Sequence, residues 1–363
     1  MKKIKVLHYG LSDNCGGIEN VVFSWFKNKP DDVVFDFIND DKAPLAYEDE
    51  FVRGGSRILY MEKRFEHPLK RFVSFKKILK ENDYDYFHYH VMNNDEIGLI
   101  IACNQSKKTK PVIHCHSMYT GEVPFKEKIL LNEFKILGSN QDYFRLSCAE
   151  KAGKNMFGDQ KFTVIENGVN FDKYRFSKIE RANIRCRYGF GDTDRVIGHI
   201  GHACPEKNYP FIFEVFSKLK KLNKDFKLLL VGNVDNNEWI RAKLEEYDIV
   251  NETYFTGVVK DVAPLYSAMD LFFLPSVSEG FPVSLVEAQV NGLSCVTSVA
   301  VTQETRISDD IVYLDFDSDS VKDYVLKAIN NSIDREHANV SDRLDIRNTT
   351  AKLMRFYRDN LWI

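Results

Sequence analysis

Nowhere in this chain does an apolar run approach the ~18 residues that a membrane-spanning helix needs. The opening MKKIKVLHYG ends its apolar stretch too soon for the core of a secretion signal. The expectation is a cytoplasmic chain, at most attached to a membrane surface. No C-x-x-C pair occurs, and the seven cysteines (Cys15, Cys103, Cys115, Cys148, Cys186, Cys204, Cys295) are scattered and odd in number. That argues against a disulfide framework or a zinc ribbon and suits a reducing compartment. Neither sign of charge dominates: 50 Lys and Arg face 53 Asp and Glu, a net charge of -3. Nothing global draws the chain to nucleic acid, so no nucleic-acid partner is expected. Low-complexity tracts and solenoid repeats are also missing.

What remains is a globular composition, 44% hydrophobic and 28% charged, in a chain of 363 residues. That length is more than one ordinary core holds, so two domains are expected. Short apolar runs at 4–9, 86–90, 112–116, 196–200, 227–231, 253–255, 271–274 and 295–297 read as strands. Helical patterns separate them; in 208–222, Ile212, Val215, Phe216, Leu219 and Leu222 share one face. Such alternation predicts an α/β chain of parallel sheets covered by helices. The turn signal Glu166-Asn167-Gly168 and the charged stretch 178–187 set the boundary within 168–190. The spans adopted are 1–170, 171–344 and a final helical segment 345–363.

The most informative stretch is 274–287, LPSVSEGFPVSLVE. A strand ends at Leu274, a loop follows, and a helix starts near Pro282 and closes at Gly292. Free N–H groups of Gly280, Phe281, Val283 and Ser284 at that helix start would form an anion site. It would hold a diphosphate with no cation, so no metal cofactor is expected. Two carboxylates frame it. Glu287 is assigned to ribose hydroxyls, as an acidic residue is in dinucleotide folds, and Glu279 to a transferred sugar. The plain alternative is a helix with a solvated acidic first turn. Upstream, Gly198-His-Ile-Gly-His-Ala-Cys-Pro-Glu-Lys-Asn208 also follows a strand and leads into a helix. Lys207 there could offset charge on a leaving diphosphate, or be an ordinary exposed lysine.

These residues resemble the family 4 glycosyltransferases of GT-B fold. The Glu279-x7-Glu287 pattern carries the resemblance, supported by Gly16-Gly17-Ile18-Glu19, Cys148-Ala149-Glu150, Ile165-Glu166-Asn167-Gly168-Val169, Leu230-Val231-Gly232 and Phe255-Thr256-Gly257. The resemblance implies two Rossmann-like domains facing a cleft, with the donor on the second and a last helix crossing back to the first. It implies retaining transfer of a hexose or N-acetylhexosamine from a nucleotide-diphosphate sugar, above all a UDP-sugar. The acceptor would be a glycan or lipid-linked polysaccharide of capsular or exopolysaccharide type. The nucleobase would meet backbone near Val259, and the Gly16-Gly17 loop would face the donor. His116 matches a histidine that the family places near the sugar; a satisfied histidine at a sheet edge is the competing reading. One departure stands out: His202 replaces the family's usual arginine, which weakens the expected diphosphate clamp. Two rival functions follow, a sugar-nucleotide epimerase or hydrolase on the same fold, and a non-catalytic nucleotide-sugar-binding partner of a transferase.

Three further patterns are weighed. His88 and His90, and His114 and His116, fall two apart, so each pair shares a strand face that is open to a metal. No Asp or Glu ligand spacing accompanies them, so none is expected there. Around 65–79, basic residues mix with Phe65, Leu69, Phe72, Val73 and Leu79 at helical spacing. This reads either as a sheet-packing helix with a solvated basic face or as a peripheral contact with the inner membrane surface. The D-x-D spacings at Asp83 and Asp85 and at Asp315, Asp317 and Asp319 read as solvated loops.

Overall fold

The computed structural model describes residues 3–14, 16–41, 43–63, 66–91, 96–116, 141–223, 225–330 and 334–361. The chain forms two compact units, Met1–Gly168 together with Ile346–Ile363, and Val169–Asp345. Among the described residues, no helix is long and apolar enough to cross a membrane.

Each unit is built on a parallel sheet. In the first, β1 (Ile4–Tyr9), β2 (Val33–Asn39), β3 (Ile58–Tyr60), β4 (Tyr86–Val91), β5 (Lys110–Cys115), β6 (Phe144–Ser147) and β7 (Thr163–Val164) lie in the order β3-β2-β1-β4-β5-β6-β7. In the second, β8 (Arg195–Ile200), β9 (Phe226–Val231), β10 (Thr253–Phe255), β11 (Leu271–Leu274), β12 (Ser294–Ser298) and β13 (Ile311–Leu314) run β10-β9-β8-β11-β12-β13. The central strands are buried on both faces, which explains continuous runs such as Leu271-Phe-Phe-Leu274 rather than alternation. In both sheets the order reverses beside the first strand, between β1 and β4 and between β8 and β11. Loops leaving the C-terminal ends of two strands diverge there and leave a crevice for ligand.

The second unit's core packs Phe213, Val215, Phe216 and Leu219 of the helix Tyr209–Leu222 against Leu228, Leu230 and Phe273. Gly198 in β8 has no room for a side chain, because a Cβ would stand 2.0 Å from Met269 Sδ. In the first unit, the C-terminal helix Ile346–Asp359 buries Leu353, Met354 and Tyr357. Tyr86 of β4 donates its hydroxyl to the Tyr357 carbonyl at 2.7 Å.

The second unit begins at Val169, and the charged stretch 178–187 belongs to the helix Lys178–Tyr188 inside it. Its Arg181 and Arg185 donate to the carbonyls of Ser267, Ala268 and Met269 and pair with Asp270. The basic segment folds as the helix Pro68–Asn82, but its buried side is Arg71, Phe75 and Leu79. Arg71 is drawn inward because its guanidinium meets Asp40 at 2.9 Å and Glu96 at 2.7 Å. Leu69 and Val73 instead face outward, 84% and 65% exposed. Phe65 lies outside the described residues.

Candidate functional site

In the second unit, the loops after β8 and β11 meet at the point where strand order reverses. They are stitched together by the Val277 amide, which donates to the Glu206 carbonyl at 2.8 Å. Below them, Thr297 Oγ1 donates to the Leu274 carbonyl at 2.7 Å, and Ser298 bonds the Ser276 carbonyl. The loop leading to the helix Val283–Val290 is therefore anchored from its own sheet.

That helix starts without a side-chain cap, and the residue before it is Pro282, which has no N–H. Among the described residues, the amides of Gly280, Phe281, Val283 and Ser284 donate to no protein acceptor. Four orphan donors at the positive end of a helix are what an anion requires. The other end closes as expected: the helix stops at Val290, and Gly292 takes φ +74°.

Beside these amides, Lys207 and Glu279 form a pair. Lys207 Nζ lies 2.6 Å from Glu279 Oε1, with the side chains only 14% and 15% exposed. Ser276 Oγ donates to the same oxygen at 2.7 Å. Lys207 ends a short 3-10 turn, Pro205–Lys207, and its stem lies along Gly201. A Cβ at Gly201 would stand 3.0 Å from Lys207 Cε. Gly232, at φ +128°, lets its backbone pass under the Gly201 carbonyl, where a Cβ would sit 2.5 Å from that oxygen. Both glycines serve a close approach rather than a flexible loop.

Glu287 lies half-buried on the same helix. Tyr266 OH donates to its Oε2 at 2.6 Å, with the Ser284 carbonyl 3.1 Å away as a competing acceptor. Burial raises the carboxyl's pKa above the ordinary range, while hydrogen bonds from Tyr266 and Tyr174 act in the opposite direction. His202 is exposed on the loop after β8. The nearby Glu206 carboxyl is held below its usual range chiefly by its own backbone amide and Cys204, with smaller contributions from His202 and Lys207. Val259 is half-buried just after Gly257, whose carbonyl accepts the Gly232 amide at 3.2 Å.

Several partners escaped the sequence reading. Tyr266 gave no signal, since it meets Glu287 only in the fold, and Ser276, inside the 274–287 stretch, was given no role. His199 is fully buried, donates Nδ1–H to the Phe273 carbonyl at 2.9 Å, and is pushed down to about 3 by burial. Only the HIGH run around Gly201 marked it.

The first unit holds the other expected residues. Gly16 precedes the helix Gly17–Asn28, and a Cβ on it would stand 2.6 Å from Glu19 Oε2. Glu19 is pinned there by Ser12, whose amide and hydroxyl both donate to Oε1, at 2.9 and 2.8 Å. The histidine pairs lie within β4 and at the end of β5, all buried, where they join His8 of β1. Register sets His8 beside His88 and His90 beside His114. His8 Nδ1 lies 2.9 Å from His90 Nε2, and His90 Nδ1 lies 3.0 Å from His116 Nε2. His116 Nδ1 reaches Asn167 Oδ1 at 3.3 Å. A second line joins Tyr357, His88 and His114. Both nitrogens of His116 are thus engaged inside this unit.

The D-x-D segments serve local structure. Asp85 accepts the Lys5 amide at 2.9 Å, and Asp317 accepts the Asp319 amide at 3.2 Å at the start of the helix Ser318–Asn330.

With this geometry in place, comparison with known proteins is informative. Residues 180–343 match the family described as glycosyl transferases group 1. The putative glycosyltransferase EpsF of Bacillus subtilis is 26% identical over 83% of this chain and 80% of that protein. An Escherichia coli protein, UDP-Gal:alpha-D-GlcNAc-diphosphoundecaprenol alpha-1,3-galactosyltransferase, is 24% identical over 82% of this chain and 79% of its own. Among solved structures, a glycosyltransferase from Rickettsia africae superposes with a TM-score of 0.81 at 16% identity, covering 99% of both chains. Anabaena HepE, crystallised with UDP and glucose, gives 0.76 at 16% identity over 98% of this chain and 100% of that one.

Proposed function

The chain is a group 1 glycosyltransferase of GT-B fold, and from that premise we propose that it transfers a hexose or N-acetylhexosamine from a UDP-sugar with retention of configuration. The acceptor in this reading is a hydroxyl of a growing, lipid-linked exopolysaccharide or capsular glycan, at the cytoplasmic face of the membrane. A relative named for a diphosphoundecaprenol-linked acceptor supports it. The observation that carries the donor reading is the group of four unpartnered amides beside the Lys207–Glu279 pair.

The donor diphosphate docks on the amides of Gly280, Phe281, Val283 and Ser284. Its negative charge draws Lys207 from Glu279, and the freed carboxylate accepts sugar hydroxyls while Ser276 keeps it oriented. Glu287, steadied by Tyr266, accepts from ribose, and backbone near Val259 meets the base. As the bond from the anomeric carbon to the phosphate oxygen breaks, Lys207 and the helix dipole stabilise the charge left on the diphosphate. The acceptor oxygen bonds that carbon from the same face, and its proton passes to the departing phosphate. Fixed dipoles here do work that a bound cation does in other enzymes, so the reading needs no metal. His202 supplies at most a point contact in place of an arginine fork.

Acceptor recognition falls to the first unit, with Gly16, Gly17 and His116 as its candidates. His116 would bond a ligand oxygen by exchanging its longest contact, the 3.3 Å bond to Asn167. Exposed Leu69 and Val73, set among Lys70, Lys76, Lys77 and Lys80, make the outer side of Pro68–Asn82 a peripheral membrane contact. Flotation with anionic vesicles tests that part, and a chain that stays unbound contradicts it. The reaction itself is tested by a panel of nucleotide-sugars with and without glycan acceptor, reading the anomeric configuration of the product. Release of free sugar as the sole product would reject transfer, and an inverted linkage would reject retention.

A further inference from the structure

The line His8, His90, His116, Asn167 has a direction. A neutral imidazole has one N–H and one lone pair. Asn167 Oδ1 is an acceptor, so His116 Nδ1 carries the hydrogen and its Nε2 is a lone pair facing His90. His90 Nδ1 must then donate, leaving its own Nε2 to accept from His8 Nδ1. The sequence of donors runs out at His8 Nε2. That nitrogen is buried and has no partner among the described residues. The one unmet atom of the line is therefore an acceptor, the less costly kind to leave unpaired.

The surroundings hold the rings in place. His8, His90 and His116 are 0%, 2% and 6% exposed. His8 stacks parallel to His90, with an interplanar angle of 2°. Trp25, fully buried, packs against the row, with its ring 6.0 Å from His90 and 6.1 Å from His116. Burial pushes the His8 and His116 imidazoles down to about 3 and about 4, and His90 well below its ordinary value. All three rings are neutral near pH 7, as the direction requires.

We propose that His90 and His8 are positioning residues that lock His116 in the Nδ1–H form, so that His116 offers the ligand a hydrogen-bond donor and never acts as a base. The proposal rests on the reading that His116 contacts ligand. The oxygen that replaces Asn167 on this N–H belongs to a hydroxyl or a phosphoryl group, since both present lone pairs. Proton removal from the acceptor then falls elsewhere, in keeping with transfer to the departing phosphate.

The same rings could suggest a metal. His90, His114 and His116 bring ligand nitrogens within 4.8 Å of one another, as do His8, His88 and His90. Yet both ring nitrogens of His88, His90 and His116 are already hydrogen-bonded, while His8 and His114 each keep one without a partner among the described residues. Among the described residues, their side-chain partners outside the cluster are Asn167 and Tyr357, with no carboxylate to balance a dication.

Histidine-selective 15N labelling of the whole chain, which has nine histidines, reads the tautomers directly, with His116→Gln and His90→Asn for assignment. The expected spectrum at pH 7.5 shows His8, His90 and His116 hydrogen-bearing at Nδ1 only. An Nε2–H on His90 or His116, an imidazolium, or stoichiometric bound transition metal in the purified protein would overturn the proposal. Kinetics supply the second arm. His90→Phe removes the donor to His116 and should lower kcat/KM about tenfold, the effect of one hydrogen bond. His90→Asn can donate from the same place and should recover most of it. A folded His90→Phe protein with full activity overturns the relay. Whether the donor's or the acceptor's KM moves identifies the oxygen. If His116→Gln leaves both KM and kcat unchanged, the ligand-contact reading fails, while the spectrum still judges the tautomers.

Discussion

Lys207 and Glu279 are bonded to each other at 2.6 Å, in the place where a donor's diphosphate and sugar would compete for them. The pair keeps a half-buried cation and anion satisfied until ligand arrives. In the proposed reaction, each group thereby holds the other where it would be used.

Lys207→Ala should raise the barrier by about 2–4 kcal/mol, by analogy with the loss of an oxyanion donor. It should also raise donor KM, because an unpaired Glu279 repels the diphosphate. Glu279→Gln should lower kcat on its own. In the double variant the losses should fall well short of their sum, since the two side chains act as one unit. Steady-state kinetics on the four proteins check this; strictly additive losses would mean that the residues work apart.

Tyr266→Phe should act on donor binding more than on turnover. The phenol's bond to Glu287 counters the rise that burial imposes on that carboxyl. Without it, donor KM should rise about tenfold, the range of a hydrogen bond to a charged group. The wild type should discriminate against 2′-deoxyribose donors, and Glu287→Gln should not. Equal KM values for ribose and deoxyribose donors in the wild type would remove Glu287 from the ribose.

Much of this site was legible because it is local in sequence. Glu279, the amides and Glu287 lie on one loop and one helix, and Lys207 follows another strand by a short turn. Tyr266 and His199 were not, since what matters is the neighbour that each acquires only in the fold; Ser276, three residues before Glu279, was passed over although its contact is local. The same holds for the first unit: the HYH and HCH pairs were visible, but His8 became part of the row only through pairing of β1 with β4. Strands such as β3, of three residues, carry too little pattern to be read. Val33–Asn39 hides its register behind buried Asp36, which is explained by Arg57 and Tyr84 at 2.6 and 2.7 Å. The buried side of the basic helix was misread for a related reason, as charge patterning could not show that Arg71 would find two carboxylates inside.

Acid should destabilise both units steeply. An unfolded histidine takes a proton near pH 6.5, whereas burial delays this to about 3 for His8 and His199 and about 4 for His116. Between those limits the unfolded chain binds more protons, so this stability is full above pH 6.5 and drains as pH falls toward about 4 for His116 and about 3 for His8 and His199. At pH 5 each of the three costs about 2 kcal/mol. Thermal midpoints measured from pH 8 to 5 should fall accordingly, and His199→Phe should flatten the second unit's share. A flat profile would mean that these rings take up protons in the fold as readily as in the unfolded chain.

The central claim is that backbone amides at the start of Val283–Val290 hold the diphosphate without a cation. Val283→Pro deletes one of those amides at a first helical position, where proline is well tolerated, and Pro282 before it already has the extended backbone that a following proline needs. Titration calorimetry with UDP in EDTA, on the wild type, Val283→Ala and Val283→Pro, isolates the N–H from the side chain. The account predicts metal-free binding by the first two and a loss of about tenfold or more in the third. Equal affinity in all three, or binding that appears only when magnesium is added, would contradict it.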